Sequence, residues 1–221
     1  MSANKIALWL GSSAPARSVR WLDGALAAAA TLEGRCTVIA AGDQTWLDLA
    51  ADRAARTNLP SAGVRTELRL DYLGWAQIAA ALVRAVGATT VLVEEASRAD
   101  RWIEVAAIAE LLDAAQVGHV VALASDGLAI AATRVVGRTR QTLRVCGPAV
   151  IGVRIAGARV DDYPTPMPTS TMKKLDFAAL GLDPIVLGHR AVPRRTGLEP
   201  RKTVALIAEH LVAHLAARED R

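Results

Sequence analysis

The side chains able to do chemistry are few and widely spaced. Four histidines, His119, His189, His210 and His214, all fall in the second half of the chain. They lie away from the predicted strand ends of the first half, so no Ser/His/Asp arrangement is suggested. His210 and His214 are four apart on one predicted helix and could share a metal, but no third ligand is placed, and they read as helix-face histidines. Cys36 and Cys146 are far apart and form no C-x-x-C, which argues against zinc, an iron–sulfur cluster or a disulfide framework; both read as buried thiols. The glycine-bearing run Gly11-Ser12-Ser13-Ala14-Pro15 lacks the Walker lysine, a G-x-G-x-x-G pattern and the paired glycines and acid of a pyrophosphatase-type ATP loop. It reads as an ordinary strand-to-helix turn. Arg134, Arg138, Arg140 and Arg144 could partly share a strand face, though a turn near Gly137 should intervene, and a solvated face or protein contact is expected. Of five tryptophans, Trp21, Trp46, Trp75 and Trp102 fall in predicted helices. Trp9 lies near a strand end, where a flavin or adenine ring could meet it, with core packing the alternative.

The elements that must position these groups follow from periodicity. Lys5 to Leu10, Cys36 to Ala41, Val64 to Leu70 and Thr89 to Glu94 read as strands. Between and after them, Ser18 to Leu32, Asp43 to Thr57, Leu73 to Val86 and Arg101 to Ala115 carry apolar residues at helical spacing, with Asp43 a candidate N-cap and Gly87 a terminating glycine. Strands alternating with helices predict right-handed crossovers and a mainly parallel sheet covered on both faces. In such a sheet ligands sit at the carboxyl ends of strands, which directs attention to the loops after Leu10, Ala41 and Glu94. After His119 strand follows strand: Val120 to Ala124, an Asp126-Gly127 hairpin turn, Leu128 to Val136, Gln141 to Val145 and Val150 to Ile155. A Pro/Thr/Ser-rich segment, an irregular arm and an amphipathic helix from Thr203 to Ala217 complete the chain. The implied division is residues 1–160 as an α/β core with a hairpin, and 161–221 as a loop and C-terminal arm.

The 221 residues are 52% hydrophobic and 22% charged, which excludes a disordered chain. The longest charge-free stretch of the first half, Tyr72 to Val83, falls short of the ~20 apolar residues that span a bilayer, so no membrane insertion is expected. The N-terminus lacks a small-residue cleavage pattern after its brief apolar run, which predicts a cytoplasmic protein. A net charge of +4 is small, and nucleic acid is not an expected partner.

The order of elements and several local stretches resemble the beta subunit of electron transfer flavoproteins. The likeness is carried by Val91 to Ala109, Asp126 to Val136, Thr142-Leu143-Arg144, Pro148-Ala149-Val150, and Tyr163 through Met172-Lys173-Lys174. Leu180-Gly181-Leu182-Asp183 and Arg195-Thr196-Gly197 extend it into the arm, whereas residues 1–70 match in architecture more than in letters. The resemblance implies an adenine nucleotide alpha hydrolase-like core. It also implies a heterodimer in which an alpha subunit holds most of the FAD, and a carrier of electrons from a dehydrogenase rather than an enzyme that transforms a substrate. By the same likeness the cofactor-facing positions are Trp9, Ala41, Gly42, Asp100, Glu104 and Val105. Tyr163, Met167, Pro168 and Met172 belong to the loop that recognises the dehydrogenase.

Departures from the family pattern carry their own expectation. Many members bind AMP through Gln-Thr-Gly at the start of a helix; here the matching residues are Glu104-Val105-Ala106. A carboxylate near a dianion, a lost hydroxyl and an added Cβ predict weak or absent AMP binding. Trp9 would crowd an adenine, and the insertion that brings an aromatic residue towards the flavin is cut to Ser12-Ser13-Ala14-Pro15. The alternative is therefore a diverged scaffold that keeps partner contacts without a nucleotide. A stand-alone nucleotide hydrolase or adenylyl-transferring enzyme is a third reading, which the incomplete first loop disfavours.

Overall fold

Continuous apolar runs such as Ile6–Gly11 and Cys36–Gly42 have no polar face to offer water, so they must be covered on both sides. The computed structural model describes residues 5–11, 24–26, 28–29, 32, 36–95, 99–126, 129–154 and 171–189, excepting the side chains of 99–102. All belong to the unit Met1–Ala191; the second unit, Val192–Arg221, with the helix expected at Thr203 to Ala217, lies outside the described residues.

The strands are β1 (Ile6–Gly11), β2 (Cys36–Gly42), β3 (Ser61–Arg65), β4 (Thr90–Glu94), β5 (Ala115–Asp126), β6 (Ala129–Val136), β7 (Thr139–Val145), β8 (Ala149–Val153) and β9 (Lys173–Leu175). They form one sheet in the order β7-β6-β5-β8-β4-β1-β2-β3-β9. From β5 to β9 every neighbouring pair is parallel, while β6 and β7 extend the sheet as an antiparallel meander. The helices are α1 (Gln44–Arg56), α2 (Tyr72–Val86), α3 (Ala99–Leu112) and the short α4 (Pro184–Gly188). The helical residues 24–26 and 28–29 share one core layer with α1, around Leu8, Leu26, Val38 and Leu92; α2 and α3 build the other around Trp9, Ile39, Ile78 and Ile108.

Local sequence signals end the helices where expected. The Asp43 carboxylate accepts from Trp46 N at 2.8 Å, and Asp71 accepts from Gly74 N at 2.7 Å, each satisfying a donor of a first turn. Gly87, at φ 67°, closes α2 in the left-handed region while Ala88 N reaches back to the Val83 carbonyl at 3.0 Å.

The third strand is displaced from the expected Val64 to Leu70. Its register is dictated by β2, from Val38↔Ser61 to Gly42↔Arg65, and not by its own propensity. Gly63 belongs there because a Cβ would stand 3.0 Å from the Ala40 carbonyl and 2.6 Å from Met172 Sδ. The sheet also takes in Lys173–Leu175, read from sequence as irregular arm, as an edge strand parallel to β3. β5 begins at Ala115 rather than Val120, because its first half pairs with β8 and its second half with β6. The arginines divide as the intervening turn implied: Arg134 pairs with Gln141, whereas Arg140 and Arg144 lie on the opposite face of β7, Arg144 reaching Asp126 at 2.7 Å.

The two cysteines are not alike. Cys36 is buried at the start of β2, and desolvation pushes its thiol from an ordinary 9.0 to about 12. Cys146, expected to be buried, is exposed: Val145 is the last inward-facing residue of the edge strand and Cys146 lies beyond the ladder. Native protein should thus react with one equivalent of a thiol reagent, at Cys146, and with a second after unfolding. The folded state keeps the Cys36 proton that the unfolded chain releases above 9.0, so this contribution to stability is complete below that pH and falls as pH rises towards 12. The slope is about 1.4 kcal/mol per pH unit. Urea midpoints measured against pH should show it in the parent and not in Cys36→Ala.

Candidate functional site at the carboxyl edge of the sheet

Strand order reverses beside β1: the chain steps to β2 and β3 on one side and to β4 and β8 on the other. The parting carboxyl ends of β1 and β4 are where an open parallel sheet binds its ligand. Here that crevice is filled by the protein's own side chains. Trp9 is 2% exposed, and its indole Nε1 donates to Glu104 Oε1 at 2.7 Å, across to the N-terminal half of α3. The ring tilts 52° against Trp75 at 6.5 Å between centroids. Gly11 lets the indole lie over the strand end, since a Cβ there would approach it to 3.0 Å. On the other layer Trp46 Nε1 donates to the Leu10 carbonyl at 3.1 Å, so the end of β1 is satisfied from within.

The remaining expected positions follow suit. Ala41 and Val105 are buried in the same layer as Trp9. The Gly42 carbonyl accepts from Thr66 N at 2.8 Å, prolonging the β2–β3 ladder. Asp100 lies in the first turn of α3, its side chain outside the described set. Met172 packs against the core beside Gly63. Tyr163, Met167 and Pro168 lie outside the described residues. Trp9, Ala41, Glu104 and Val105 are thus brought together as packed interior. They do not fit a nucleotide cradle: an adenine-sized group would have to displace the indole and leave the Glu104 carboxylate beside it.

A second constellation stands at the same edge, two strands away, and sequence reasoning missed it. Glu95, just after β4, is 4% exposed at its side chain. One of its oxygens accepts from Arg154 Nη2 at 3.1 Å and lies 2.9 Å from His119 Nδ1; the other accepts the backbone N–H of His119. Arg154 follows β8, and His119 sits in the bulge where β5 stops pairing with β8. The carboxylate occupies space left by Gly118 and Gly152; a Cβ on Gly152 would come within 2.7 Å of Glu95 Oε2. His119 adopts φ 61°, an uncommon conformation for a side-chain-bearing residue, held by its N–H bond to Glu95. A buried carboxylate with two hydrogen-bond donors and an imidazole at ion-pair distance is well satisfied. The His119 side chain is 48% exposed. The signal for this cluster is positional: a Glu and an Arg just past β4 and β8 and a Gly-His in the bulge of β5 meet once those strands are known to be neighbours.

Among the described residues no three His, Cys, Asp or Glu side chains gather as metal ligands, and no helix is long and apolar enough to cross a membrane. The expected His210/His214 pair lies outside them. The chain is an α/β protein whose described residues build a mostly parallel nine-stranded sheet flanked by helices. No protein-family model matches it, and no curated protein does.

Proposed function

We propose that this chain is an electron transfer flavoprotein beta-like subunit, which pairs with an alpha-type subunit that grips FAD and passes electrons from a dehydrogenase to a downstream acceptor. The observation that carries the reading is the arrangement of the stretches that resemble the family. Val91 to Ala109 supplies β4 and α3, the Thr142-Leu143-Arg144 and Pro148-Ala149-Val150 stretches lie in or border β7 and β8, and Lys173-Lys174 enters the sheet edge as β9. On this reading the Tyr163-to-Met172 segment, which follows β8 and precedes β9 in the chain, recognises the dehydrogenase. FAD is then held mainly by the alpha-type partner, and no redox step is assigned to a side chain of this chain.

Co-expression with a flavin-binding alpha-type chain encoded beside this gene should yield a yellow, co-purifying complex. A colourless pair that fails to associate overturns the proposal.

A second reading, a scaffold subunit that has lost nucleotide binding, is favoured by one feature, the Trp9–Glu104 plug. It predicts that calorimetry of the complex detects no micromolar affinity for AMP. Tight AMP binding would mean that the indole moves aside and would retire this reading.

A further inference from the structure

We propose that β7, the edge strand at one end of the sheet, is a docking site for an acidic extended segment of a partner protein, which adds to the sheet as a further strand. The site does not rest on the electron-transfer reading. Among the described residues β7 pairs with β6 alone, so the backbone N–H and C=O groups along its other side point out of the ladder. The strand keeps register with β6 without a bulge, from Val136↔Thr139 to Ile130↔Val145, and contains no proline. The opposite edge shows the usual protection, since β9 has only three residues and two of them are lysines. A seven-residue edge with a regular row of outward backbone groups is the template that strand addition needs.

The side chains specify the occupant. Arg140, Thr142 and Arg144 share one face of β7 and are exposed, while Gln141 and Leu143 alternate with them on the other face, Leu143 packing against the core. From Ala115 to Val145 the chain carries four arginines and a single carboxylate, Asp126. Asp126 engages Arg144 in an exposed pair, and Arg138 and Arg140 have no ion pair among the described residues. A second copy of this chain is a poor occupant. In the full-length antiparallel register, with Thr142 opposite itself, Arg140 would face Arg144 of the copy, and like charges directly opposite are destabilising. An acidic strand reverses the sign. Carboxylates four residues apart on one face would stand opposite Arg140 and Arg144, and an apolar residue on the alternate face would lie beside Leu143. The fitting ligand is thus an extended segment that alternates acidic with β-branched apolar residues.

The test is amide NMR and hydrogen exchange of the full chain with an end-capped synthetic heptapeptide that alternates glutamate and valine. In the free chain every second amide of β7 should exchange fast, since only alternate N–H groups reach β6. Saturating peptide should slow those amides by roughly tenfold or more. Arg140→Glu should weaken binding about tenfold and Arg140→Gln about threefold, because the first adds a repulsion across the strand pair to the attraction that both remove. The same peptide with lysine for glutamate should not bind, and neither should one methylated at every peptide nitrogen, which cannot donate to the edge. Slow exchange of all the β7 amides before peptide is added, a dimer in sedimentation that protects the same amides, equal binding of the lysine peptide, or unchanged affinity in a folded Arg140→Glu would each overturn the proposal.

Discussion

Trp9→Ala should lower the unfolding free energy by about 3–5 kcal/mol, the range for removing a buried large aromatic side chain. Set against the ~5–15 kcal/mol that typically holds a domain folded, that is a major loss. Trp9 sits in the strand at the switch point, against Trp75 and beneath α3, so little can collapse into the space that it vacates. Trp9→Phe isolates the polar part: most of the apolar area remains, the indole donor to Glu104 is lost, and a hydrogen bond to a charged group is worth about 1.5–3 kcal/mol. Combined with Glu104→Leu, the losses should be non-additive by more than about 1 kcal/mol, because both changes break the same hydrogen bond. Urea denaturation followed by circular dichroism measures all four corners of the cycle. Additive effects would show that the indole and the carboxylate act independently.

The second large effect belongs to Gly152→Ala. Its Cβ would meet Glu95 Oε2 at 2.7 Å and the Glu95 Cβ at 3.3 Å, and the carboxylate cannot swing away without releasing His119 and Arg154. Overpacking of this kind costs about 1–3 kcal/mol. Unmaking the backbone bond of His119 strands a partly buried donor and adds about 1–3 kcal/mol. Glu95→Ala removes the clash, so the double variant should be less destabilised than the sum of the two single variants. Thermal unfolding of the three proteins decides this; a Gly152→Ala protein as stable as its parent would mean that the carboxylate is free to relocate.

The two constellations were legible to different degrees. Trp9 was identifiable as a strand-end indole from local position and residue type, whereas Glu104 as a carboxylate in the wrong place for a phosphate came only from the family resemblance. Their hydrogen bond spans 95 residues and depends on how α3 lies over β1, which no spacing encodes. Glu95, His119 and Arg154 were harder. With β5 read from Val120, His119 fell outside any strand end, and the parallel β5–β8 pairing that makes Arg154 its neighbour is a long-range choice. Cys146 was misjudged for a related reason: thiols are usually buried, but a residue one step past an edge strand has no facing layer.

By itself the sequence determined the alternation of strands and helices, the caps at Asp43 and Gly87, and the change to consecutive strands after His119. These rest on periodicity and on backbone groups a few residues apart, which a local stretch carries within it. The tertiary structure alone decided that Lys173–Leu175 joins the sheet, that β3 lies at Ser61–Arg65, that an indole fills the crevice beside β1, and that β4, β5 and β8 bring their residues together around Glu95. Each is a contest among distant partners for the same ladder or the same space, and its outcome depends on the shape already built around it.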